Sequence, residues 1–247
     1  MGRLARRLGL LLAALGVVAA VGCGFISERR PEARPSPEAD ALAQRMARAV
    51  NADAWARTGA VRFVFRDKND WLWDRAGGRA RLRTGDREVL FRTGDRTGIA
   101  FEAGRPLSGS DLDEALADAW KAFCNDTFWF NPLVKLFDDG TERALVRTET
   151  GADALLITYA SGGVTPGDAY LWHLGPDDRP TAWQMWVQIL PIGGVRMTWS
   201  GWVALETGAV VSTFHEGTVA NLALTEVAGT ATLDALEPGA FDRLGTR

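Results

Sequence analysis

The sequence has few of the residues that metal sites and nucleophilic enzymes use. Its 247 residues include two cysteines and two histidines, whereas a zinc site takes three or four ligands of these kinds. His173 and His215 each lie within a predicted strand, so a structural or surface role is favoured over metal binding. The chain has no Gly-x-Ser-x-Gly elbow, phosphate loop or His-Glu-x-x-His segment. We therefore expect a non-enzymatic protein without a metal or cofactor.

An excess of positive charge is also lacking. The chain carries 28 lysines and arginines against 31 acidic residues, which gives a formal net charge of −3. Three of the arginines precede Gly22, so the rest of the chain is more acidic still. A mildly acidic surface is unsuited to nucleic acid, and we expect no nucleic-acid partner.

The N-terminus has the pattern of an export signal. Arginines precede the apolar run Leu8–Val21, which is too short to span a bilayer comfortably, and Gly22-Cys23 follows. This pattern predicts a secretory signal peptide over residues 1–22. Ala20-Val21-Gly22-Cys23 resembles the lipobox of bacterial lipoproteins, so we expect Cys23 to be the lipid anchor that attaches the chain to a membrane. A plain signal peptide and an uncleaved anchor are the alternatives.

The next segment predicts a tether. Ser27–Pro37 is charged and rich in proline, and has no apolar residue beyond alanine, so it cannot bury a core. We expect a lipidated cysteine and disordered tether over residues 23–37, a single domain over 38–230 and a loose C-terminal tail over 231–247. Cys124 then has no disulfide partner, and we expect it to be buried as a small apolar residue.

Two segments have the apolar spacing of amphipathic helices. The first is Glu38–Val50, with acidic residues in its first turn and arginines in later turns. The second begins near Ser110, a candidate N-cap, and is predicted to end near Asn125. Phe128–Phe137 fits neither the helical nor the strand period, and we expect a buried loop with a helical turn after Pro132.

Most of the remaining chain alternates apolar and polar residues with the period of a β-strand. Such runs, separated by short turns, fill Val61–Glu102 and Arg143–Val227. The longest pair, Thr181–Leu205, is predicted as two antiparallel strands joined by Pro191–Gly194. About 11 to 12 antiparallel strands must curl. We expect a mainly β (α+β) fold, with a curved, incompletely closed antiparallel sheet and two helices on its concave face.

The order of these elements resembles the LolA/LolB-like superfamily of periplasmic lipoprotein carriers and receptors. Two segments contribute most to this resemblance, namely Phe130-Asn131-Pro132-Leu133-Val134-Lys135-Leu136 and Tyr170–Pro180. The resemblance covers most of Glu38–Val227. It implies a cavity between sheet and helices that accepts acyl chains, and receipt of cargo at the outer membrane by anchored members. Neither the receptor's exposed leucine loop nor the carrier's latching arginine has an assignable counterpart.

Ten tryptophans are the most unusual feature of the composition. Core packing in a large sheet and the lining of an apolar cavity both place tryptophan on the inner faces of strands, and the sequence does not separate these alternatives. We expect the inner face, and the contacts to a hydrophobic ligand, to come from Trp71, Trp73, Phe91, Trp183, Met185, Met197 and Trp199.

These patterns lead to two hypotheses. In the first, the chain is a cell-envelope lipoprotein that binds an acyl chain or other hydrophobic ligand between sheet and helices, in lipoprotein or lipid trafficking. Gly24 rather than aspartate follows Cys23, which by resemblance to Gram-negative lipoproteins favours the outer membrane, facing the periplasm. In the second, the chain is a non-enzymatic envelope assembly protein with a filled core. A cavity would favour the first hypothesis, and a filled core with an exposed apolar patch would favour the second.

Overall fold

The computed structural model describes residues 27–161, 166–218 and 220–245. Cys23 and the predicted signal peptide lie outside these residues. The described chain has three α-helices, which are α1 (Pro37–Ala49), α2 (Ala52–Ala56) and α3 (Gly109–Phe130). Short 3₁₀ helices span Pro132–Lys135, Leu233–Ala235 and Asp242–Leu244. None of the described helices is long and apolar enough to cross a membrane.

The described residues form fourteen strands in two antiparallel sheets. The strands are β1 (Ala60–Phe65), β2 (Asn69–Asp74), β3 (Arg79–Thr84), β4 (Arg87–Arg92), β5 (Gly98–Glu102), β6 (Arg105–Pro106), β7 (Thr141–Arg147), β8 (Asp153–Tyr159), β9 (Ala169–Leu174), β10 (Pro180–Trp186), β11 (Val195–Thr198), β12 (Ser200–Ala204), β13 (Val210–His215) and β14 (Leu222–Thr230). One sheet has nine strands in the order β12-β13-β14-β1-β2-β3-β4-β5-β6, and the other has five in the order β11-β10-β9-β8-β7. The predicted curved and incompletely closed antiparallel sheet with helices is confirmed, although its strands are more numerous and divide into two sheets.

The two sheets meet at a corner next to Trp199. This residue separates β11 from β12, so the predicted second strand of Thr181–Leu205 is in fact two strands in different sheets. The backbone N–H of Trp199 donates to the carbonyl of Thr181 at 2.8 Å. Gly201 in β12 has φ +64°, a left-handed conformation that favours glycine.

The connection between β10 and β11 is longer than the sequence predicts. It spans Val187–Gly194 rather than Pro191–Gly194. Ile189, which the alternation places on the dry face, is 71% exposed, and Leu190 is 37% exposed. The prediction that Ile189 lies on the dry face is wrong. The alternation of apolar and polar residues continues in the sequence beyond Met185, which is the last residue of β10 that pairs with β11.

Helix α1 agrees closely with its prediction, whereas α3 is longer than predicted. Helix α1 begins after Ser36, whose Oγ accepts a hydrogen bond from the N–H of Ala39 at 3.2 Å. Helix α3 continues to Phe130, so the prediction of a loop from Phe128 was wrong for its first three residues. The turn after Pro132 is confirmed as a 3₁₀ helix.

Helix α3 lies between the two sheets and completes the core. Near its middle, the Phe123 ring is 5.6 Å from that of Trp71 in β2. Near its end, the Trp129 ring is 4.7 Å from that of Trp183 in β10. Aromatic residues therefore occur on more than one face of the helix, and this conceals the amphipathic period that sequence reasoning looks for.

Both predicted flexible ends pack on the outer faces of the sheets. In the C-terminal segment, Phe241 is 2% exposed and packs with Leu72 and Leu90. Arg81 makes two hydrogen bonds to the Glu237 carboxylate, one of them 2.7 Å long. The prediction of a loose tail is therefore wrong for residues 231–245. Residues 27–36, which we call the N-terminal strap, lie on the outer face of the five-stranded sheet, so a disordered tether is also wrong for that part.

Candidate functional site

The structure places the seven predicted inner-face residues in one core. Trp71, Phe91 and Trp183 are fully buried, Trp199 is nearly so, and Trp73 is half-buried against the others. Met185 and Met197 are also buried, with 8% of each residue's surface exposed. The set divides between the sheets, because Trp71, Trp73 and Phe91 belong to the nine-stranded sheet and the rest lie in or beside the five-stranded sheet. Their contact with a ligand remains a prediction.

Five aromatic residues from five places in the chain meet beside the corner, and we call them the tryptophan cluster. They are Trp129, Trp172, Trp183, Trp199 and His215. The ring centroids of Trp172 and Trp183 are 4.8 Å apart, those of Trp183 and Trp199 are also 4.8 Å apart, and those of Trp172 and Trp199 are 5.0 Å apart. The His215 ring lies 4.2 Å from that of Trp199.

Strand register explains how the cluster forms. Trp172 in β9 is directly opposite Trp183 in β10, and such cross-strand pairs are close neighbours on one face of a sheet. Trp199 joins them from the corner, and His215 is the last residue of β13. Trp129 closes the cluster from α3. Sequence reasoning did not select Trp129 because it lay beyond the predicted helix end. It did not select Trp172 either, although the alternation in β9 is a signal that would have placed it on the inner face.

Four buried nitrogen atoms of the cluster find no hydrogen-bond partner among the described residues. They are Nε1 of Trp172, Trp183 and Trp199, and Nε2 of His215. An unpartnered buried polar group costs about 1–3 kcal/mol, and an N–H directed at a neighbouring ring recovers only part of this. The cluster therefore concentrates unpartnered hydrogen-bonding groups in a buried, aromatic part of the core.

The buried indole of Trp71, in another part of the core, does have a hydrogen-bond partner. The Trp71 Nε1–H donates to Oδ2 of Asp126 at 2.8 Å. Unpartnered indoles are thus a property of the tryptophan cluster and not of every buried tryptophan in this fold.

The protonation of His215 follows from its contacts. Its Nδ1 is 3.1 Å from the carbonyl oxygen of Thr198, so Nδ1 carries the proton and donates, and Nε2 is a bare acceptor. Burial lowers the pKa of His215 to about 4, so the ring is neutral near pH 7. The cluster therefore offers three indole donors and one imidazole acceptor.

The buried histidine predicts a loss of stability in acid. The unfolded chain binds this proton with a pKa near 6.5, above the folded value of about 4, so stability is full above pH 6.5 and falls as the pH drops towards 4. The expected loss is about 3 kcal/mol. Urea unfolding of the wild type and of His215→Phe between pH 4 and pH 7 measures it, and the difference between the two proteins isolates the histidine. Equal pH dependence in both proteins would contradict the assignment.

Asp126 is a second polar residue in the core that sequence reasoning missed. It lies on α3 and is 2% exposed. Oδ2 accepts hydrogen bonds from Asn69 and Trp71 of β2, each 2.8 Å long, and Oδ1 accepts one from Asn125, also 2.8 Å long. Burial raises the pKa of Asp126, and the three hydrogen bonds counteract the rise. This carboxyl group therefore fixes α3 to the nine-stranded sheet four residues before the helix ends.

Metal and thiol chemistry find little support in the described part of the chain. It contains no group of three or more His, Cys, Asp or Glu residues that would hold a metal ion. Cys124 is half-buried and unpaired, so its predicted burial is confirmed only in part. Burial raises the pKa of Cys124, which keeps the thiol protonated near neutral pH.

Neither of the two best-defined depressions among the described residues lies at the seven predicted residues. Helix α3 fills the space between the sheets with Phe123, Phe128, Trp129 and Phe130. Two depressions, of about 290 and 670 Å³, lie at the surface instead, and none of the seven predicted residues lines either of them. The smaller is bordered by Arg196 and Glu216, and the larger lies between the N-terminal strap and strands β7 and β8.

Comparison with known proteins gives no family assignment. No family model matches the chain, and no curated protein matches it. A solved structure of a DUF1329 family protein from Desulfovibrio piger is similar over 85% of this chain and 99% of that chain, with 12% sequence identity and a TM-score of 0.42. A match at this level is weak and carries no conclusion about function. The resemblance to the LolA/LolB-like superfamily is not confirmed.

Proposed function

We propose that this protein is a non-enzymatic cell-envelope lipoprotein that binds an acyl chain or a similar amphiphile between α3 and the five-stranded sheet. The tryptophan cluster is the observation that carries the proposal. Ligand sites combine mostly apolar walls with a few polar groups that fix orientation. The indole rings supply the walls, and their unpartnered N–H groups supply donors for the carboxylate or ester oxygens of an amphiphile.

The aromatic end of α3 moves aside to admit the ligand. Phe128 stacks on Trp183 with centroids 6.0 Å apart, and Trp129 lies against the same ring. An acyl chain would take over these ring contacts, with burial contributing about 0.8 kcal/mol per CH₂. Because Asp126 fixes the helix to β2, the displacement is confined to the residues after it.

The proposal includes attachment to the outer membrane through Cys23 and a role in lipoprotein or lipid trafficking. The lipobox-like sequence and Gly24 support the attachment. The open antiparallel sheet with helices on its inner face supports a relationship to the LolA/LolB-like superfamily, since this is the arrangement that the resemblance implies.

A second candidate function is that of an envelope assembly protein that holds no ligand. The filled interior favours it, together with large apolar side chains at the surface. Phe137 is 47% exposed and Phe214 is 39% exposed. These side chains would contact other envelope proteins rather than lipid.

Native mass spectrometry of residues 24–247, exported to a bacterial periplasm, tests the first proposal. We expect a co-purifying lipid, or uptake of added palmitate. Trp183→Phe and Trp199→Phe each keep an aromatic ring but lose one unpartnered donor. We expect each to weaken palmitate binding about threefold to tenfold. Because phenylalanine is smaller than tryptophan, each variant also leaves a small cavity, so we expect the ligand-free protein to lose some stability, though less than with alanine at the same position.

Trp71→Phe is the matched control, because its indole already donates to Asp126. We expect this variant to lose stability without a change in palmitate affinity. A ligand-free mass with no palmitate uptake would contradict the proposal and favour the assembly protein. Unchanged affinity in the Trp183 and Trp199 variants would show that the indole donors do not hold the ligand.

A further inference from the structure

The N-terminal strap crosses the outer face of the five-stranded sheet from one edge to the other. At its start, the Gly193 N–H donates to Ser27 Oγ at 2.9 Å, and the Glu28 N–H donates to the Gly193 carbonyl at 3.0 Å. At its end, Pro35 pairs with Ala144 of β7. Between these points Ala33 packs on an outer apolar patch, which consists of Ala144, Ala154, Leu156, Ala169 and Leu171.

The start of the strap is held by several contacts. The Trp186 Nε1–H donates to the carbonyl of Glu28 at 2.8 Å, and the Gln184 side chain donates to the Glu28 carboxylate. Gly193 permits this approach, because a Cβ there would lie 2.3 Å from Cδ1 of Trp186 and 2.9 Å from the Glu28 carbonyl oxygen. The strap is thus fixed against the β10–β11 loop, which is Val187–Gly194.

The β10–β11 loop also carries Ile189, the most exposed large apolar side chain among the described residues, and next to it Leu190. Ile189 is 71% exposed and Leu190 is 37% exposed. Cys23 precedes Ser27 by four residues, and four residues of extended chain reach at most about 14 Å. A lipid on Cys23 would therefore enter a bilayer within about 14 Å of Ser27, which contacts Gly193 of the same loop.

We propose that the β10–β11 loop docks on the lipid bilayer, with Ile189 and Leu190 among the headgroups, and that the strap fixes this orientation. Apolar side chains leave water there, and the two lie beside the point where the chain approaches its anchor. The turn between β7 and β8 is at the opposite end of the five-stranded sheet, about 20 Å away along a seven-residue strand, and faces the aqueous phase. This inference rests on the proposed attachment through Cys23 but not on the proposed ligand.

Spin labels on the full-length protein in phospholipid vesicles test the docking. In a Cys124→Ala background, one label is placed at Gln188→Cys in the loop and another at Thr150→Cys in the β7–β8 turn. We expect oxygen to reach the label at 188 far more readily than a water-soluble nickel complex does, and the reverse at 150. A label at 188 that is as accessible to nickel as the label at 150 would overturn the proposal.

Substitutions separate the contributions of the loop and the strap. We call the preferential access of oxygen over nickel to the label at 188 its lipid signature. Leu190→Asp is expected to abolish this signature, whereas Val203→Asp, at a position of matched exposure (38%) on β12, is expected to leave it intact. Glu28→Pro removes the N–H that donates to the Gly193 carbonyl, and we expect this variant also to lose the lipid signature of the label at 188. Loss of the signature in Val203→Asp, or its retention in Leu190→Asp, would overturn the role of the loop. Retention in Glu28→Pro would overturn the role of the strap. Palmitate binding should be unchanged in all three variants.

Discussion

Replacing Trp183 by alanine is expected to lower the free energy of unfolding by about 4 kcal/mol. Trp183 is fully buried, and its ring contacts those of Phe128, Trp129, Trp172 and Trp199. Removal of the indole leaves a cavity at the junction of α3 and the five-stranded sheet, which close packing on all sides prevents from collapsing. Urea unfolding of the two proteins measures the loss.

Trp186→Ala is the matched control for this experiment. Trp186 is in the same strand, is half-buried on the outer face, and donates to the Glu28 carbonyl. We expect its loss to cost about 1 kcal/mol, mainly for one hydrogen bond. Equal losses for Trp183→Ala and Trp186→Ala would contradict the view that the tryptophan cluster is the centre of packing.

Asp126→Ala is expected to lower the free energy of unfolding by about 4 kcal/mol, since three donors lose their acceptor and each costs about 1–3 kcal/mol. Two of these donors, on Asn69 and Trp71, connect α3 to β2. Asp126→Asn is expected to be nearly neutral at pH 7, because its amide oxygen still accepts from both. Thermal or urea unfolding of the three proteins gives the comparison.

The same pair of variants tests the pKa of Asp126. Burial raises the folded pKa above the unfolded value, so the folded state holds this proton more tightly and stability is lost as the pH rises through the folded pKa. The wild type should therefore gain stability relative to Asp126→Asn as the pH falls through that value. The stability contribution of Asp126 thus rises as the pH falls, whereas that of His215 decreases, so the two contributions are distinguishable. If Asp126→Asn is as unstable as Asp126→Ala, the negative charge itself is needed.

Much of the fold follows from local patterns in the sequence. The alternation of apolar residues in segments such as Val61–Phe65 places strands correctly, because one face of each strand is dry. Helix α1 is equally predictable, since the acidic residues in its first turn and the arginines in its later turns agree with its apolar spacing. The end of α3 was not predictable in this way, because apolar contacts on several sides remove the polar face that marks an amphipathic helix.

The candidate site was only partly predictable, because local alternation identifies inner-face residues but not the tertiary contacts between them. Alternation identifies Trp183 and Trp199 as inner-face residues, but does not say that β11 and β12 diverge at Trp199 into different sheets. The contribution of α3 depends on tertiary contacts between residues far apart in sequence. The strap illustrates the opposite error, because a segment of low hydrophobicity is ordered here by backbone hydrogen bonds at Glu28 and small apolar contacts at Ala33.

The corner at Trp199 joins the packing of the core to the junction of the two sheets. Its backbone N–H is tied to Thr181 in one sheet, the chain continues directly into the other sheet, and its ring lies in the tryptophan cluster. The packing of this ring and the angle between the two sheets are therefore set at the same residue. A substitution in the tryptophan cluster that displaces the Trp199 ring would thus act directly on the junction between the sheets.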